Sequence, residues 1–258
     1  MTIENTELTQ FETVSGRTQF DDGPGRYRIG LVALSNDYVT ELDFMNMRPS
    51  KDVVVYTSRV PNTPDCTVET LQKMAAHITQ AASLIVPEGR LDVMAYSCTS
   101  GTAVMGFDKI RSLIHAARPG IACVTPITSS LAALDKFNAQ KIAVLTPYVD
   151  DVNADIAKYI ERSGKTISAF TSFKIASNEE MAKIAPESIY QAALAADRDD
   201  ADALFISCTA IRAVDVIHQI EQKLGKPVVT AVQAMYWQAL RLSGYNEKII
   251  GFGQLFSV

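Results

Sequence analysis

An internal repeat constrains the fold of this chain more than any other feature. The segment LDVMAYSCTS at 91–100 and the segment ADALFISCTA at 201–210 share an Asp, an apolar run and the triplet Ser-Cys-Thr, 110 residues apart. Earlier, RYRIGLVALSNDYV at 26–39 and AQKIAVLTPYVDDV at 139–152 share a basic residue before an apolar run, and Arg28 matches Lys141 at an offset of 113 residues. We therefore predict two similar structural units along the chain.

Short apolar runs alternate with longer helical patterns after residue 26. In the helical patterns, apolar residues recur at three- and four-residue steps, for example from Leu71 to Ile85. Eight runs are continuously apolar, as expected of strands buried on both faces: RIGLVAL, DVVVYTS, LDVMAYS, ACVTPI, KIAVLTP, TISAFTSF, DALFIS and PVVTAV. This alternation predicts an α/β fold with parallel sheets flanked by helices. Because ligands bind outside the carboxyl ends of such strands, we expect one cleft between the two units, with Asn36 and Tyr148 at equivalent positions.

The composition disfavours several classes of partner. The formal charge is −5, from 24 basic and 29 acidic residues without a long basic run. Such a chain favours neither nucleic acid nor an anionic membrane as a partner. The first residues lack the features of a secretory signal, and no apolar run reaches the roughly 18 residues needed to cross a bilayer. With four cysteines and no CxxC pair, a soluble cytoplasmic protein with reduced thiols is predicted.

Cys98 and Cys208 are the candidate catalytic residues, because the repeat places each of them at the end of a buried strand. We predict that both open onto a helix N-terminus, where backbone N–H groups favour a thiolate and would lower the pKa of the thiol from about 8.5 toward neutrality. Two thiols on opposite faces of a small substrate can act as base and acid, one removing a proton from carbon while the other delivers one. The neighbouring Thr99, Ser100 and Thr209 offer hydrogen-bond donors for a carboxylate or an enediolate, and this chemistry requires no metal.

The other two cysteines lie outside the repeat. Cys123, in the predicted strand ACVTPI, is interpreted as a packing residue, because free cysteines are among the most buried residues. Cys66, in the loop PNTPDCTV, has no polar partner motif and is interpreted as incidental. His77, His115 and His218 lack the HxxxH spacing of a metal site, so no metal is expected.

Several of these motifs resemble the aspartate/glutamate racemase superfamily, in its maleate isomerase and arylmalonate decarboxylase branch. Within that branch the chain is most similar to the ectoine-utilization proteins, and the matching segments are SCTSGT, ALFISCTAIRAVDVI, VLTPYVDDVN and GKPVVTAVQAMYWQALRLSG. The resemblance implies two Rossmann-like lobes related by pseudo-twofold symmetry, a small carboxylate between them, no cofactor and a homo-oligomer. We accordingly divide the chain into a polar N-terminal arm at 1–26, a first lobe at 27–138 plus 237–258, and a second lobe at 139–236.

The resemblance also implies roles for individual residues. Cys98 would be the nucleophile that adds to a substrate double bond, and Cys208 would be the proton donor. The implied substrate-binding residues are Asn36, Tyr148 and Asn178, with Thr99, Ser100 and Thr209 contributing amides or hydroxyls. The chain has Ala231 and Val232 where maleate isomerases typically have a Ser-Asn pair. This difference favours another small carboxylate or amino-acid derivative, such as an acetylated diaminobutyrate from ectoine breakdown.

The predicted function is an isomerase or racemase that works without a cofactor, and two alternatives are open. One is a decarboxylase or lyase that uses Cys208 alone as proton donor. Arylmalonate decarboxylases keep only the second cysteine, so the presence of Cys98 argues against this activity. The other is a non-catalytic protein that binds small carboxylates, which needs neither thiol.

Overall fold

Eight parallel strands form two four-stranded sheets in the computed structural model, which describes residues 10–11, 16 and 18–258. The first sheet has the order β2-β1-β3-β4, with β1 Tyr27–Leu34, β2 Val53–Val60, β3 Val93–Tyr96 and β4 Ala122–Val124. The second sheet has the order β6-β5-β7-β8, with β5 Lys141–Thr146, β6 Thr166–Ser172, β7 Ala203–Ile206 and β8 Val228–Thr230. The predicted α/β fold with two similar units is confirmed.

All eight strands lie within the apolar runs identified in the sequence or extend them by one or two residues. The central strands β3 and β7 are buried along their whole length. A strand covered on both faces has no solvent-facing side to fill with polar residues, so its sequence is continuously apolar. This is why the sequence was informative about the sheets.

Eleven helices connect and cover the strands in the described part of the chain. Their bounds are α1 Thr40–Met47, α2 Val68–Lys73, α3 Ala75–Ser83, α4 Thr99–Met105, α5 Phe107–Ala117, α6 Pro126–Lys136, α7 Asp150–Arg162, α8 Asn178–Lys183, α9 Pro186–Ala196, α10 Ile217–Leu224 and α11 Ala231–Ser243. The helical pattern from Leu71 to Ile85 is divided between α2 and α3, which meet at Met74. Short 3-10 helices occupy Val214–Val216 and Gln254–Ser257.

The repeat seen in the sequence has a structural counterpart at the amino ends of the sheets. The Asp92 carboxylate accepts a hydrogen bond of 2.7 Å from the backbone N–H of Arg28. The Asp202 carboxylate accepts an equivalent bond of 2.8 Å from the backbone N–H of Lys141. Both aspartates therefore tie the third strand of a unit to its first strand, which sets the register of the cysteines that follow.

Two long helices connect the units. Helix α11 begins directly after β8 of the second sheet, yet it packs on β1 and β3 of the first. Helix α6 follows β4 of the first sheet, packs against α11 and reaches β8 of the second. Each helix thus leaves the sheet that precedes it and contacts the other one.

The predicted division at residue 236 falls inside the continuous helix α11. The two sheets lie within 27–138 and 139–236, and the assignment of the helices to lobes stays a prediction. Of the predicted arm at 1–26, residues 1–9, 12–15 and 17 lie outside the described residues. In the described chain, no helix combines the length and apolar character required to span a membrane.

Candidate active site

The two repeated cysteines lie at equivalent positions in the two sheets. Cys98 follows β3 after one residue, and Cys208 follows β7 after one residue. Strand β3 lies beside β1 on the side opposite to β2, and β7 lies beside β5 on the side opposite to β6. The connections that leave β1 and β3, or β5 and β7, therefore run in opposite directions across the sheet. Crevices at such switch points are the usual ligand sites of open parallel sheets.

Cys98 caps the helix α4. Its sulfur accepts a hydrogen bond of 3.2 Å from the backbone N–H of Gly101, as an N-cap side chain does. A methyl group on Gly101 would lie only 2.8 Å from the same sulfur, so a glycine is needed for this close approach. The predicted junction between strand and helix is therefore observed at Cys98.

Cys208 has a different local structure, and the predicted helix N-terminus at this position is wrong. Residues 209–213 form an irregular loop before the 3-10 helix Val214–Val216. The loop is held by a hydrogen bond of 3.1 Å from the Arg212 guanidinium to the carbonyl of Ile184 and by the burial of Ile211. These tertiary contacts override the local helical pattern, and one backbone N–H, from Ala210, donates to the Cys208 sulfur at 3.2 Å.

Both sulfurs are shielded from solvent, and this burial raises the pKa of each thiol to about 12. The predicted lowering of these pKa values toward neutrality is therefore wrong, because the effect of burial exceeds that of the backbone N–H groups. The pKa of Cys208 is lowered by a hydrogen bond from the Tyr148 hydroxyl and raised further by the negative charge of Cys98. Tyr148 is itself buried, which raises its pKa, and the charges of Cys208 and Cys98 add to this increase. Because Cys98 and Cys208 influence the pKa of Tyr148, and Cys98 and Tyr148 that of Cys208, we call these three residues the coupled group.

A third thiol belongs to this group. Cys66 lies in a loop whose neighbours Asp65 and Thr67 are exposed, yet its own side chain is buried. Its sulfur is 3.5 Å from the Ser100 hydroxyl, and the same hydroxyl lies 3.8 Å from the sulfur of Cys98. The expectation that Cys66 has no polar partner is wrong, because its buried sulfur lies within hydrogen-bond distance of the Ser100 hydroxyl.

The loop that carries Cys66 also joins the two units. The backbone N–H of Cys66 donates to the carbonyl of Ala176 at 3.0 Å, and the backbone N–H of Asn178 donates to the carbonyl of Pro64 at 3.1 Å. The Asn178 side-chain amide donates to the same Pro64 carbonyl at 3.1 Å. We call residues 64–66 and 176–178 together the clasp. Asn178 therefore lies beside Cys66, but its side-chain amide is engaged in a hydrogen bond of the clasp.

The remaining predicted binding residues are distributed unevenly. Asn36 is half-buried, and both ends of its amide are engaged by the loop before the clasp, through Thr63 at 3.0 Å and Asn62 at 2.9 Å. Thr99 and Thr209 are buried next to the two cysteines. Within the described residues, the Thr99 hydroxyl has no hydrogen-bond partner, which leaves a donor free beside Cys98.

Two features of the site were missed by sequence reasoning, Cys66 and Gly101. No group of three His, Cys, Asp or Glu side chains arranged to hold a metal occurs among the described residues. Cys123, interpreted as a packing residue, lies half-buried on β4 and outside the coupled group.

Comparison with known proteins identifies relatives of the whole arrangement. The model of the arylmalonate decarboxylase family matches residues 65–256, three quarters of the chain and both repeated cysteines. The chain belongs to the arylmalonate decarboxylase family. The predicted resemblance to the branch that contains maleate isomerases and arylmalonate decarboxylases is confirmed.

Individual members of this branch show the range of the similarity. The arylmalonate decarboxylase of Bordetella bronchiseptica is 31% identical over 140 residues, which cover 53% of this chain and 58% of that protein. The maleate isomerase of Nocardia farcinica is 26% identical over 242 residues, covering 90% of this chain and 96% of that protein. A solved structure of a Nocardia farcinica maleate cis-trans isomerase variant with a covalently bound succinylcysteine intermediate superposes with a TM-score of 0.82 at 23% identity, over 89% of this chain and 98% of that chain. These relatives support the predicted enzyme class, since several are named isomerases.

Proposed function

We propose that this protein is a cofactor-independent isomerase that uses Cys98 and Cys208 on a small carboxylate. The observation that carries the proposal is the pair of thiols at equivalent strand ends, buried and electrostatically coupled across the two units. A packing role would not require both cysteines to end equivalent strands, each with a backbone N–H directed at its sulfur.

With an unsaturated substrate the proposed reaction is a cis-trans isomerisation of a double bond next to a carboxylate. With a saturated substrate the same two thiols would remove and return a proton at the α-carbon, which is a racemisation. The Cys98 thiolate adds to one carbon of the double bond, while the Cys208 thiol gives its proton to the adjacent carbon. The resulting thioether has a single bond about which the substrate rotates. Cys208, now a thiolate, takes the proton back, the carbon–sulfur bond breaks, and Cys98 leaves as the thiolate with which the cycle began. Atoms and charge balance, and the protein is regenerated.

The surroundings of the two thiols suit this chemistry. The Gly101 N–H and the Ser100 hydroxyl stabilise a negative charge on Cys98, and both lower the pKa of its thiol against the larger effect of burial. The Tyr148 hydroxyl and the Ala210 N–H do the same for Cys208. The unpaired hydroxyl of Thr99 can donate a hydrogen bond to a substrate carboxylate. Because the carboxylate is charged, such a bond is stronger than one between neutral groups. Asn36, Asn178 and Thr209 stay predicted binding residues.

The relatives support an isomerase more than a decarboxylase. Four related proteins are named maleate isomerases, and each match spans 90% of this chain, whereas the match to the decarboxylase spans 53%. The succinylcysteine in the solved Nocardia farcinica structure is the kind of adduct that the proposed addition step produces. Ala231 and Val232 are buried at the start of α11, so this end of the site has fewer polar groups than a Ser-Asn pair would give.

Proton NMR in D₂O tests the proposal with a panel of maleate, aspartate, glutamate, phenylmalonate and acetylated diaminobutyrates. The unmodified protein is compared with Cys98→Ala, Cys208→Ala and, as a matched control outside the coupled group, Cys123→Ala. We expect a trans product or deuterium at a substrate α-carbon with the unmodified protein and with Cys123→Ala only. This panel also covers the proposed link to ectoine breakdown, which rests on the resemblance alone.

Two outcomes contradict the proposal. Turnover that survives Cys98→Ala and stops in Cys208→Ala indicates a decarboxylase or lyase with one thiol. Ligand-induced shifts without turnover, unchanged in both cysteine variants, indicate a binding protein.

A further inference from the structure

Cys66 and Cys98 flank a single hydroxyl group. The Ser100 oxygen lies 3.5 Å from the sulfur of Cys66 and 3.8 Å from the sulfur of Cys98, and all three side chains are buried. A hydroxyl has one proton to donate and lone pairs with which to accept. Ser100 can therefore donate to one sulfur while it accepts from the other, and this pattern fits one thiol and one thiolate.

We propose that Cys66 is a third functional thiol, which shares the Ser100 hydroxyl with Cys98 so that the pair carries at most one negative charge and Cys66 competes with Cys98 for it. The first proton leaves to solvent while the site is open. Afterwards, the thiol of Cys98 can pass its proton to Ser100 as Ser100 passes its own to the Cys66 thiolate. This moves the charge to Cys98 without a net loss of a proton from the closed site.

The charged and titratable groups around Cys98 agree with this arrangement. After burial, the negative charge of Cys66 is the largest influence that raises the pKa of Cys98, and Asp37 raises it less. On the preceding strand, burial and then the charge of Cys98 raise the pKa of Tyr96, whose hydroxyl donates to the sulfur of Met74 at 3.8 Å. From the second unit, Cys208 and Tyr148 face the same space, and the charge of Cys66 raises the pKa of each. Among the described residues that shift the pKa of Cys98 there is no basic side chain, so a second negative charge there is not compensated.

The inference deepens the proposed function, since it makes Cys66 a positioning residue that sets when Cys98 is a nucleophile. It can be tested without any substrate. Initial rates of alkylation by iodoacetamide are measured between pH 7 and 11 for each cysteine, by mass spectrometry of the digested protein. The variants are Cys66→Ser, Ser100→Ala and the double variant, and Cys123 of each protein is the internal reference.

In the unmodified protein we expect the alkylation of Cys98 to rise with pH and then to level off, because Cys66 takes the single negative charge that the pair carries. In Cys66→Ser we expect no levelling off and, near pH 10, alkylation of Cys98 about three- to tenfold faster, since each unit of pKa is a factor of ten in thiolate. Serine keeps the size and polarity of the site and removes only the competing charge.

The double variant tests the role of the shared hydroxyl. We expect the acceleration caused by Cys66→Ser to shrink by at least half when Ser100 is already alanine, because the two thiols are then no longer bridged. Equal accelerations with and without Ser100 would refute the shared hydroxyl.

A curve for Cys98 that keeps its shape in Cys66→Ser overturns the inference as a whole. This includes the case in which Cys98 and Cys208 are both alkylated faster by one constant factor at every pH, since that indicates a loosened loop. None of these results depends on turnover, so the inference and the proposed function can fail separately.

Discussion

At the scale of single residues, one buried carboxyl group outside the coupled group, that of Asp43, makes the stability of the protein depend on pH. Asp43, on α1, is buried, and one of its oxygens has no hydrogen-bond partner among the described residues. Burial raises its pKa from 3.8 to about 8, and the charges of Asp215 and Asp37 contribute to the increase. The folded protein therefore holds a proton on Asp43 over a pH range in which the unfolded chain releases it.

We predict that this residue makes the protein less stable as the pH rises from about 4 to about 8. The unfolded state releases its proton first, so the free energy of unfolding falls across this range, by up to roughly 6 kcal/mol at about 1.4 kcal/mol per unit of pKa. In Asp43→Asn the dependence should largely disappear, and the variant should be more stable than the unmodified protein at pH 8. Urea unfolding at pH 5 and pH 8 measures the difference.

The matched control is Asp199→Asn, which changes an exposed aspartate in a turn. It should leave the pH dependence unchanged. If Asp43→Asn loses stability equally at both pH values, the carboxyl is ionised in the folded protein and the prediction is wrong.

The sequence predicted the two repeated cysteines because each ends a strand whose apolar character is visible locally. It did not predict Cys66 or Gly101, since their roles depend on contacts with Ser100 and Cys98 that only the folded chain makes. The internal repeat carried one signal for the loop that contains Cys66. Applying the offset of 110 or 113 residues backwards from Asn178 leads to residues 65–68, next to Cys66. The two halves of the clasp are thus equivalent loops of the repeat.

At the scale of elements, the clasp joins the two units beside the Cys66 thiol. It joins the loop before α2 to the start of α8 through two backbone hydrogen bonds and one from the Asn178 side chain. Because Cys66, Cys98 and Cys208 are all buried, we predict that a substrate reaches them when these elements separate. The strands and most helices followed from periodicity, whereas the clasp did not, since exposed polar loops leave no periodic pattern.

We predict that Asn178→Ala makes the site open more often. Loss of one hydrogen bond costs about 0.5–1.5 kcal/mol, which corresponds to roughly two- to tenfold more frequent opening. The alkylation rates of Cys98 and Cys208 should rise together by that factor at every pH, relative to Cys123 in the same sample.

Asn246→Ala, an exposed asparagine near the C-terminus, is the matched control and should change none of these rates. Unchanged alkylation of both buried thiols in Asn178→Ala would show that the clasp does not limit access.

At the scale of the whole molecule, α6 and α11 make the two sheets dependent on each other. Helix α11 packs on β1 and β3 and pairs with α6, which reaches β8. Near its middle, Tyr236 stacks against Phe44 with ring centroids 4.5 Å apart. The alternation of strands and helices predicted two similar units, but it does not show which sheet a helix covers, because that choice depends on packing between distant segments.

We predict that damage to α11 lowers the stability of both sheets. Leu240 is fully buried on this helix, and Leu240→Ala should cost about 2–5 kcal/mol. Hydrogen exchange should show β1–β4 and β5–β8 losing protection by the same factor, together with a shift in the unfolding transition reported by Trp237 fluorescence.

Leu242→Ala, on the exposed side of the same helix, should have little effect on either sheet. Loss of protection confined to the first sheet would mean that the units unfold independently.

The position of α11 also limits how this gene can be shortened. A chain that ended at residue 230 would contain all eight strands, both repeated cysteines and Cys66. It would still lack the helix that covers β1 and β3, so the face of the first sheet would lie open to other chains. Residues 231–243 therefore complete the first sheet, and we expect a chain shortened at residue 230 to aggregate rather than to form a smaller enzyme.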